Sequence, residues 1–533
     1  MQQVELITSL LIVIAVVSAI ARRFHLSQPI ALLLVGMIIS LIPQIPDVNL
    51  APDTVFFIFL PPLLYVDAFN TPWRELRNVG EVISFQAIVL VLITVALVAV
   101  AIHAVVPGMP WAAAFAFGAI VSPTDAVAVA AISKDVILPK RLIDIIKGES
   151  LVNDASGLVA YRFAVAAMVT GVFSWRAASM HFLLVAIGGI VVGLTLGWIL
   201  AKIRTRVDYR PIEVVLSLLS PFVTYLAAEH LHVSGVLSVV SSALLLGWRG
   251  PSMFSSSARL QAAATWETIS YVLNGFSFLF MGLQLEPILV TVKSYSAQEL
   301  WLWAAVAAVT PLVARFGCIF LTAPLYQLVK KVKAPSWKNL VVLSWSGIRG
   351  VVSLAAALAL PLHTASGQPF PFRDLLIFLT IVVISSTLIF QGLTLPYIVR
   401  RLKFTPDAYD AHAEERKTRL LLAREALRTI DETAKTRGMD MNDPALHAFM
   451  DRYLEQTIAN ADSDAISASK SDAWHILKRA TIEAQRRLLL ELREGNQIEN
   501  EVFRTLQNEL DFEEAQFGTV VAESLESRDG DGG

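Results

Sequence analysis

The sequence predicts an all-α membrane protein with about thirteen transmembrane helices and a helical, water-soluble tail. Three observations carry that expectation. First, 55% of the 533 residues are apolar and only 17% are charged, well under the roughly 25% of soluble domains. The mean hydropathy of +0.59 is more apolar surface than a water-soluble core can hide. Second, the apolar residues fall in long runs, and a helix needs about 20 mostly apolar residues to cross a bilayer. Third, charge is split along the chain. Residues 404–533 hold 27 acidic and 16 basic residues, a net of −11, whereas residues 1–403 carry a net of +9. The expected division is therefore a basic membrane domain over 1–403 and an acidic tail over 404–533.

The candidate spans lie near 4–21, 29–43, 53–69, 81–106, 111–132, 147–171, 180–201, 211–229, 233–247, 266–283, 299–325, 339–360 and 373–399. The first has no Lys or Arg before Arg22, so it lacks the basic start of a cleaved signal peptide and reads as a permanent span. Basic residues mark the orientation. Loops after odd-numbered spans hold 21 Lys and Arg, and loops after even-numbered spans hold only Arg176, Lys293 and Arg373. That bias puts the N-terminus outside and the tail in the cytoplasm. Within the tail, Leu420, Leu421, Ala423 and Leu427 form a helical stripe, and the closing "ESRDGDGG" is expected to be disordered. Cys318 is the single cysteine, which leaves no disulfide framework.

An ionisable residue in mid-span costs at least about 2.5–3.5 kcal/mol and is a functional candidate by default. Four positions qualify. Asp125, in "SPTDAVAV", sits about mid-span behind Pro123; the proline removes a backbone donor and interrupts the helix. Such breaks survive at membrane depth only where protein or a wet cavity satisfies the freed groups, and their ends can coordinate ions. The second is "GESLVNDASG". Its Glu149/Asn153 and Ser150/Asp154 pairs are each i, i+4 and share a helix face. Glu149 and Asp154 are about 7.5 Å apart along the axis, so two carboxyls, an amide and a hydroxyl lie within two turns. Oxygen ligands suit a hard cation, and no Cys/His cluster points to zinc or iron. The third, Arg315, lies too deep to reach water and needs a carboxylate partner, with Glu149 the first choice and Asp154 or Asp125 the alternatives. The fourth is Arg349, flanked by Gly347 and Gly350 in "WSGIRGVVS". It marks a second interrupted helix in the later half, matching the break at Pro123. Paired interruptions point to an inverted-repeat transporter with a midplane site.

These residues resemble the sodium/proton exchanger family, which includes bacterial NhaP-type antiporters and animal exchangers. "GESLVNDASG" is similar to that family's motif around its Asn-Asp pair, and "SPTDAVAV" to its unwound fifth helix. "FLPPLLYVDAF", "LVARFG" and "GIRG" resemble further family segments in the same order. The likeness covers roughly residues 1–403. It implies an inverted-repeat antiporter fold with a dimerisation domain and a moving core, present as a homodimer in a bacterial inner membrane. It also implies that Asp154 binds cation or proton, with Asn153 beside it and Asp125 on the unwound helix. Ser150 and Thr124 would add oxygen ligands, and Glu149 with Arg315 would form a supporting buried pair. An Asn153-Asp154 sequence goes with electroneutral exchange, as opposed to the paired aspartates of some electrogenic relatives.

The mechanism expected is competition. Desolvation favours the neutral, protonated carboxyl, and a bound cation favours the ionised one, so H⁺ and Na⁺ alternate at Asp154 and no ATP is needed. The chain would be a secondary transporter serving pH homeostasis, not an enzyme. It would have no cofactor, no nucleic-acid partner, and the lipid bilayer, Na⁺ or K⁺ and H⁺ as its partners. The rivals are a K⁺/H⁺ antiporter, a passive cation channel, and an intramembrane aspartyl protease using Asp125 and Asp154. The last lacks the "YD…GxGD" pattern. A serine-type membrane protease lacks a suitable base, because His103, His181, His230, His232 and His363 sit near span ends.

Overall fold

The apolar runs form helices in the computed structural model. It describes the whole chain except residues 1, 25, 43–51, 72, 127, 130–137, 171–174, 208, 254–255, 331–335, 366, 405–410, 437–471 and 530–533. In chain order the helices are α1 (Gln2–Arg23), α2 (Gln28–Ser40), α3 (Pro52–Asn70), α4 (Trp73–Val105), α5 (Trp111–Val121), α6 (Lys140–Thr170), α7 (Trp175–Arg204), α8 (Arg210–His230), α9 (Gly235–Met253) and α10 (Ser256–Leu283). They continue with α11 (Leu285–Thr291), α12 (Ala297–Lys330), α13 (Trp337–Trp345), α14 (Val351–Leu358), α15 (Arg373–Ser386), α16 (Gly392–Leu402), α17 (Ala411–Thr436), α18 (Asp472–Glu494) and α19 (Asn500–Asp529).

Among the described residues, six helical stretches are long and apolar enough to cross a membrane, and four more are apolar but shorter. Two of the expected spans are interrupted. The fifth stops as a helix at Val121, because Pro123 cannot supply the next ladder donor; its stretch over 130–132 lies outside the described residues. The twelfth divides into α13 and α14 around residues 346–350. The thirteenth is continuous but contains a π-helical turn at Thr387–Gln391, a device often found at functional sites. Arg373, one of the few basic residues expected on the sparse side, donates to the carbonyls of Leu358 (3.2 Å) and Leu360 (2.9 Å). Its charge thereby meets the negative C-terminal end of α14.

The chain divides into two units. The first comprises Met1–Ile203, Val215–Gly250 and Thr265–Pro406. Its helices pack as two groups. In one, α4, α5, α6, α12, α13, α14, α15 and α16 contact one another in a continuous chain of interfaces. Trp303 of α12 donates to the Val105 carbonyl of α4 at 2.8 Å, and Ser122 reaches the Val91 carbonyl. The other group comprises α1, α2, α3, α7, α8, α9 and α10, where Gly275 of α10 lies against Ile14 and Leu32 and Gly247 of α9 against Phe69; α3 also packs on α14 and α6 of the first group. Within the second group, Gly189, Gly193 and Gly197 of α7 face Ser234, Ser238 and Ser242 of the α9 segment, each so closely that a Cβ on the glycine would meet the serine. This four-residue repeat of small side chains lets two helix backbones touch. Aromatic contacts tie α3 to its neighbours: Phe57 to Phe222 and Tyr65 to Trp266, with centroids 5.3 and 5.2 Å apart. Trp266 donates to Ser217 of α8.

The second unit comprises Arg204–Val214, Pro251–Ala264 and Asp407–Gly533. It thus includes two short segments upstream of the expected tail boundary. Leu422 of α17 packs with Leu489 and Leu492 of α18 and with Ile498, Val502, Phe503, Leu506 and Leu510 on and just before α19 in one core, with Leu421 of the expected stripe partly buried against it. Of the terminal run expected to be disordered, 530–533 lie outside the described residues and the preceding four close α19. Asp511 of α19 is fully buried. It accepts from Arg259 on both oxygens and from Arg486 at 2.8 Å, while Arg486 also reaches Glu514 at 2.8 Å. A buried carboxylate is tolerated only with such charge-assisted partners. Asp511→Ala leaves two arginines without their shared acceptor, and a loss of about 3–5 kcal/mol is expected in this unit. Limited proteolysis of the whole chain should then cut faster in the segments of this unit, 204–214, 251–264 and 411–514, with the helices of the first unit unaffected.

Candidate functional site

Where two helices stop in mid-membrane, their loose backbone ends must find partners. Here they find each other. The amide of Asp125 donates to the carbonyl of Ile348 at 2.7 Å, joining the two interrupted segments directly. Asp125 also caps the turn after the break, since its Oδ1 accepts from the Ala128 amide at 3.0 Å. Its Oδ2 points at Gly350, where any Cβ would overlap it. Gly350 is therefore what admits the carboxylate to the crossing. On the neighbouring helix α6, the Ser150 hydroxyl accepts from the Ala126 amide (3.2 Å) and donates to the Thr124 carbonyl (2.7 Å). The Asn153 amide donates to the Thr124 hydroxyl at 2.7 Å, and its own oxygen is buried without a hydrogen bond. Helix α6 thus replaces the ladder bonds that the break removes.

Arg349 is 1% exposed and lies at the same crossing. Its guanidinium donates to the carbonyls of Val121 (2.9 Å) and Gly347, and its amide to the Thr387 hydroxyl at 3.2 Å. Val121 ends α5, and Gly347 lies just beyond the end of α13. One cation thereby faces the negative ends of both half-helices. The second buried arginine is neutralised differently. Arg315 hydrogen-bonds Glu149 as an ion pair and donates to the Leu343 carbonyl at 3.0 Å, with both side chains under 5% exposed. Its partner is Glu149, not Asp154 or Asp125.

Asp154, Asp125, Thr124, Ser150, Pro123 and Gly350 line one cavity of about 150 Å³. Asn153, Glu149, Arg315, Gly347 and Arg349 are not in that lining; they stand behind it. The cavity also takes Leu63 and Asp67 from α3, Ser270 and Asn274 from α10, and Val351–Ser353 from α14. Sequence reasoning missed Asp67, Ser270, Asn274 and Ser353. Asp67 reads as interfacial, two residues from a span end, whereas the i, i+4 pair Ser270/Asn274 on an apolar helix was a usable signal. Among the described residues, the lining contributes three carboxyl groups and no Lys, Arg or His. Three carboxyl groups facing one space would attract a positive species there. Among the described residues no three acidic, His or Cys side chains converge closely enough to chelate a metal. A cation here would rely on hydroxyl, carbonyl or water oxygens as well.

The family model for the transmembrane sodium/hydrogen exchangers matches residues 9–401. The chain belongs to the sodium/hydrogen exchanger family. Members of this family are transporters, not enzymes. The exchanger is 35% identical to an uncharacterised Na⁺/H⁺ exchanger of Mycobacterium tuberculosis over 96% of both chains. It is 35% identical to the sodium, potassium, lithium and rubidium/H⁺ antiporter of Bacillus pumilus over 80% of this chain and 66% of that one. Among solved structures it is similar to the sodium proton antiporter MjNhaP1 of Methanocaldococcus jannaschii. The TM-score is 0.59 and the identity 21%, over 75% of this chain and 99% of that one, a likeness of fold.

Two substitutions separate the scaffold of this exchanger from its cavity. Arg315→Ala strands Glu149 as a lone buried charge, and about 3–5 kcal/mol of stability should be lost; the readout is the thermal midpoint of purified protein in detergent. Gly350→Ala pushes the Asp125 carboxylate aside, and cation exchange in vesicles should fall about 100-fold, the scale of a 1 Å misplacement.

Proposed function

We propose that this exchanger trades one monovalent cation, Na⁺ before K⁺, for one proton at Asp154, in an electroneutral alternating-access cycle. The observation that carries the reading is the cavity itself. Its carboxyls come from both helix groups, Asp125 and Asp154 from one and Asp67 from the other. A movement of one group against the other would therefore open the same ligands to opposite sides. Asp125, Ser150 and Thr124 supply oxygens around the ion, and Asn153 orients Thr124 from behind. Glu149 with Arg315 and Arg349 fix the crossing without carrying the proton. The neutral Asn153 beside Asp154 leaves a single exchangeable charge on that helix, which supports one-for-one exchange. K⁺ is the second candidate cation because the Bacillus pumilus and Bacillus subtilis relatives are named for sodium, potassium, lithium and rubidium. The assembly we infer is a homodimer in a bacterial inner membrane, with about thirteen spans, the N-terminus outside and the tail in the cytoplasm.

Proton and cation competing for one carboxyl give a definite pH dependence. Below the range in which the site is mostly ionised, the apparent KM for Na⁺ should rise by about tenfold per pH unit. Proteoliposomes with a pH dye and Na⁺, K⁺ or Li⁺ added in turn would measure this and identify the cation. A KM indifferent to pH contradicts the competition, and a current carried by Na⁺ without proton movement would mark a channel instead. Asp154→Asn should abolish exchange while leaving the chain inserted at normal abundance.

A further inference from the structure

The cavity lies in the seam between the two helix groups, so something must hold that seam shut on the side where the ion is not admitted. Arg162 of α6 and Glu229 of α8 form a hydrogen-bonded ion pair across it. Both stand far from the basic ends of their helices, which begin at Lys140 and Arg210. On the charge bias of the loops, that end faces outside. Arg162 is eight residues beyond Asp154 on the same helix, about 12 Å along its axis.

We propose that the Arg162–Glu229 pair is a latch that closes the outer end of the transport seam and breaks each time the site turns outward. The inference rests on the alternating-access reading above. Two features favour a latch over a plain structural bond. Glu229 has a prepared seat on its own group, for Gly235 opens α9 and a Cβ there would crowd both the Glu229 carboxylate and the Tyr225 ring. A carboxylate at a helix N-terminus is also stabilised without any partner cation, so Glu229 keeps a place when Arg162 leaves. The pair is also half wet, with side chains 32% and 35% exposed. It can be broken and remade at little cost, unlike the fully buried pair of Arg315 and Glu149, which lies within one group.

The test uses the whole exchanger reconstituted with known sidedness. Arg162→Gln removes the latch and raises the outward-facing population. The KM for Na⁺ should fall roughly two- to fivefold on the outer face and rise on the inner face, the scale of a partly exposed ion pair. Glu229→Gln should do the same, and the charge-swapped double variant, Arg162→Glu with Glu229→Arg, should return both values towards wild type. A merely structural bond would move both faces in the same direction. Unchanged values on both faces, or a parallel shift, overturn the latch. Hydrogen exchange reads the seam without transport: amides near 159–165 and 225–235 should exchange faster in Arg162→Gln and recover in the swap. Wild-type protein that exchanges no cation would refute the antiport reading, and these protection data would still decide the latch. Unchanged protection in both single variants overturns it.

Discussion

Everything at the centre of this exchanger derives from one constraint: a helix cut in the middle of a bilayer leaves backbone donors and acceptors that lipid cannot satisfy. The fold answers by crossing two cut helices and letting each complete the other. The amide of Asp125 takes the carbonyl of Ile348, Ser150 closes the gap on both sides of residue 125, and Arg349 covers two carbonyl ends at once. Each of these partners is a polar group already costly at membrane depth, and each is tolerated because the break needs it. The cavity is a by-product of that repair. Once the ladder is interrupted, a carboxylate can stand where a helix turn would otherwise be.

The two buried arginines show how charge is divided around the site. Arg315 cancels Glu149, so that pair adds no net charge behind the cavity. Arg349 has the half-helix ends as its counter-charge. Neither lies in the cavity lining. The three carboxyls there keep their appetite for a positive species, whether a proton or a metal ion. Had either arginine turned inward, it would have filled the site as a permanent cation.

Much of this was legible in the sequence, and the reasons are specific. Pro123 and the Gly347/Gly350 pair announce interruptions through backbone chemistry alone, and both helices are broken there. Asp125, Asp154 and Ser150 stand out because charge and hydroxyls are rare in apolar runs, and all three line the cavity. Asn153 belonged to the same motif yet sits one layer back, since spacing on a helix fixes a direction but not which neighbour is met. Asp67 was hidden by its nearness to a span end, where a carboxylate looks solvated. The division into two helix groups was expected only through the family resemblance, not from the residues themselves. An apolar face reads the same whether lipid or another helix covers it, so the seam, and the ion pair across it, exist only in three dimensions. The π-helical turn at Thr387–Gln391 left no trace in the sequence either.

The facing glycines of α7 and serines of α9 carry a consequence for how the second helix group endures. Soluble cores hold together because water expels them, and that pressure vanishes inside oil. Here cohesion comes from the intimacy of two backbones, which asks nothing of the surrounding medium. Such a joint keeps its grip whether the bath is a thick bilayer, a thin one or a micelle. It is equally unforgiving, because an added methyl group on Gly189 or Gly193 would collide with the facing backbone.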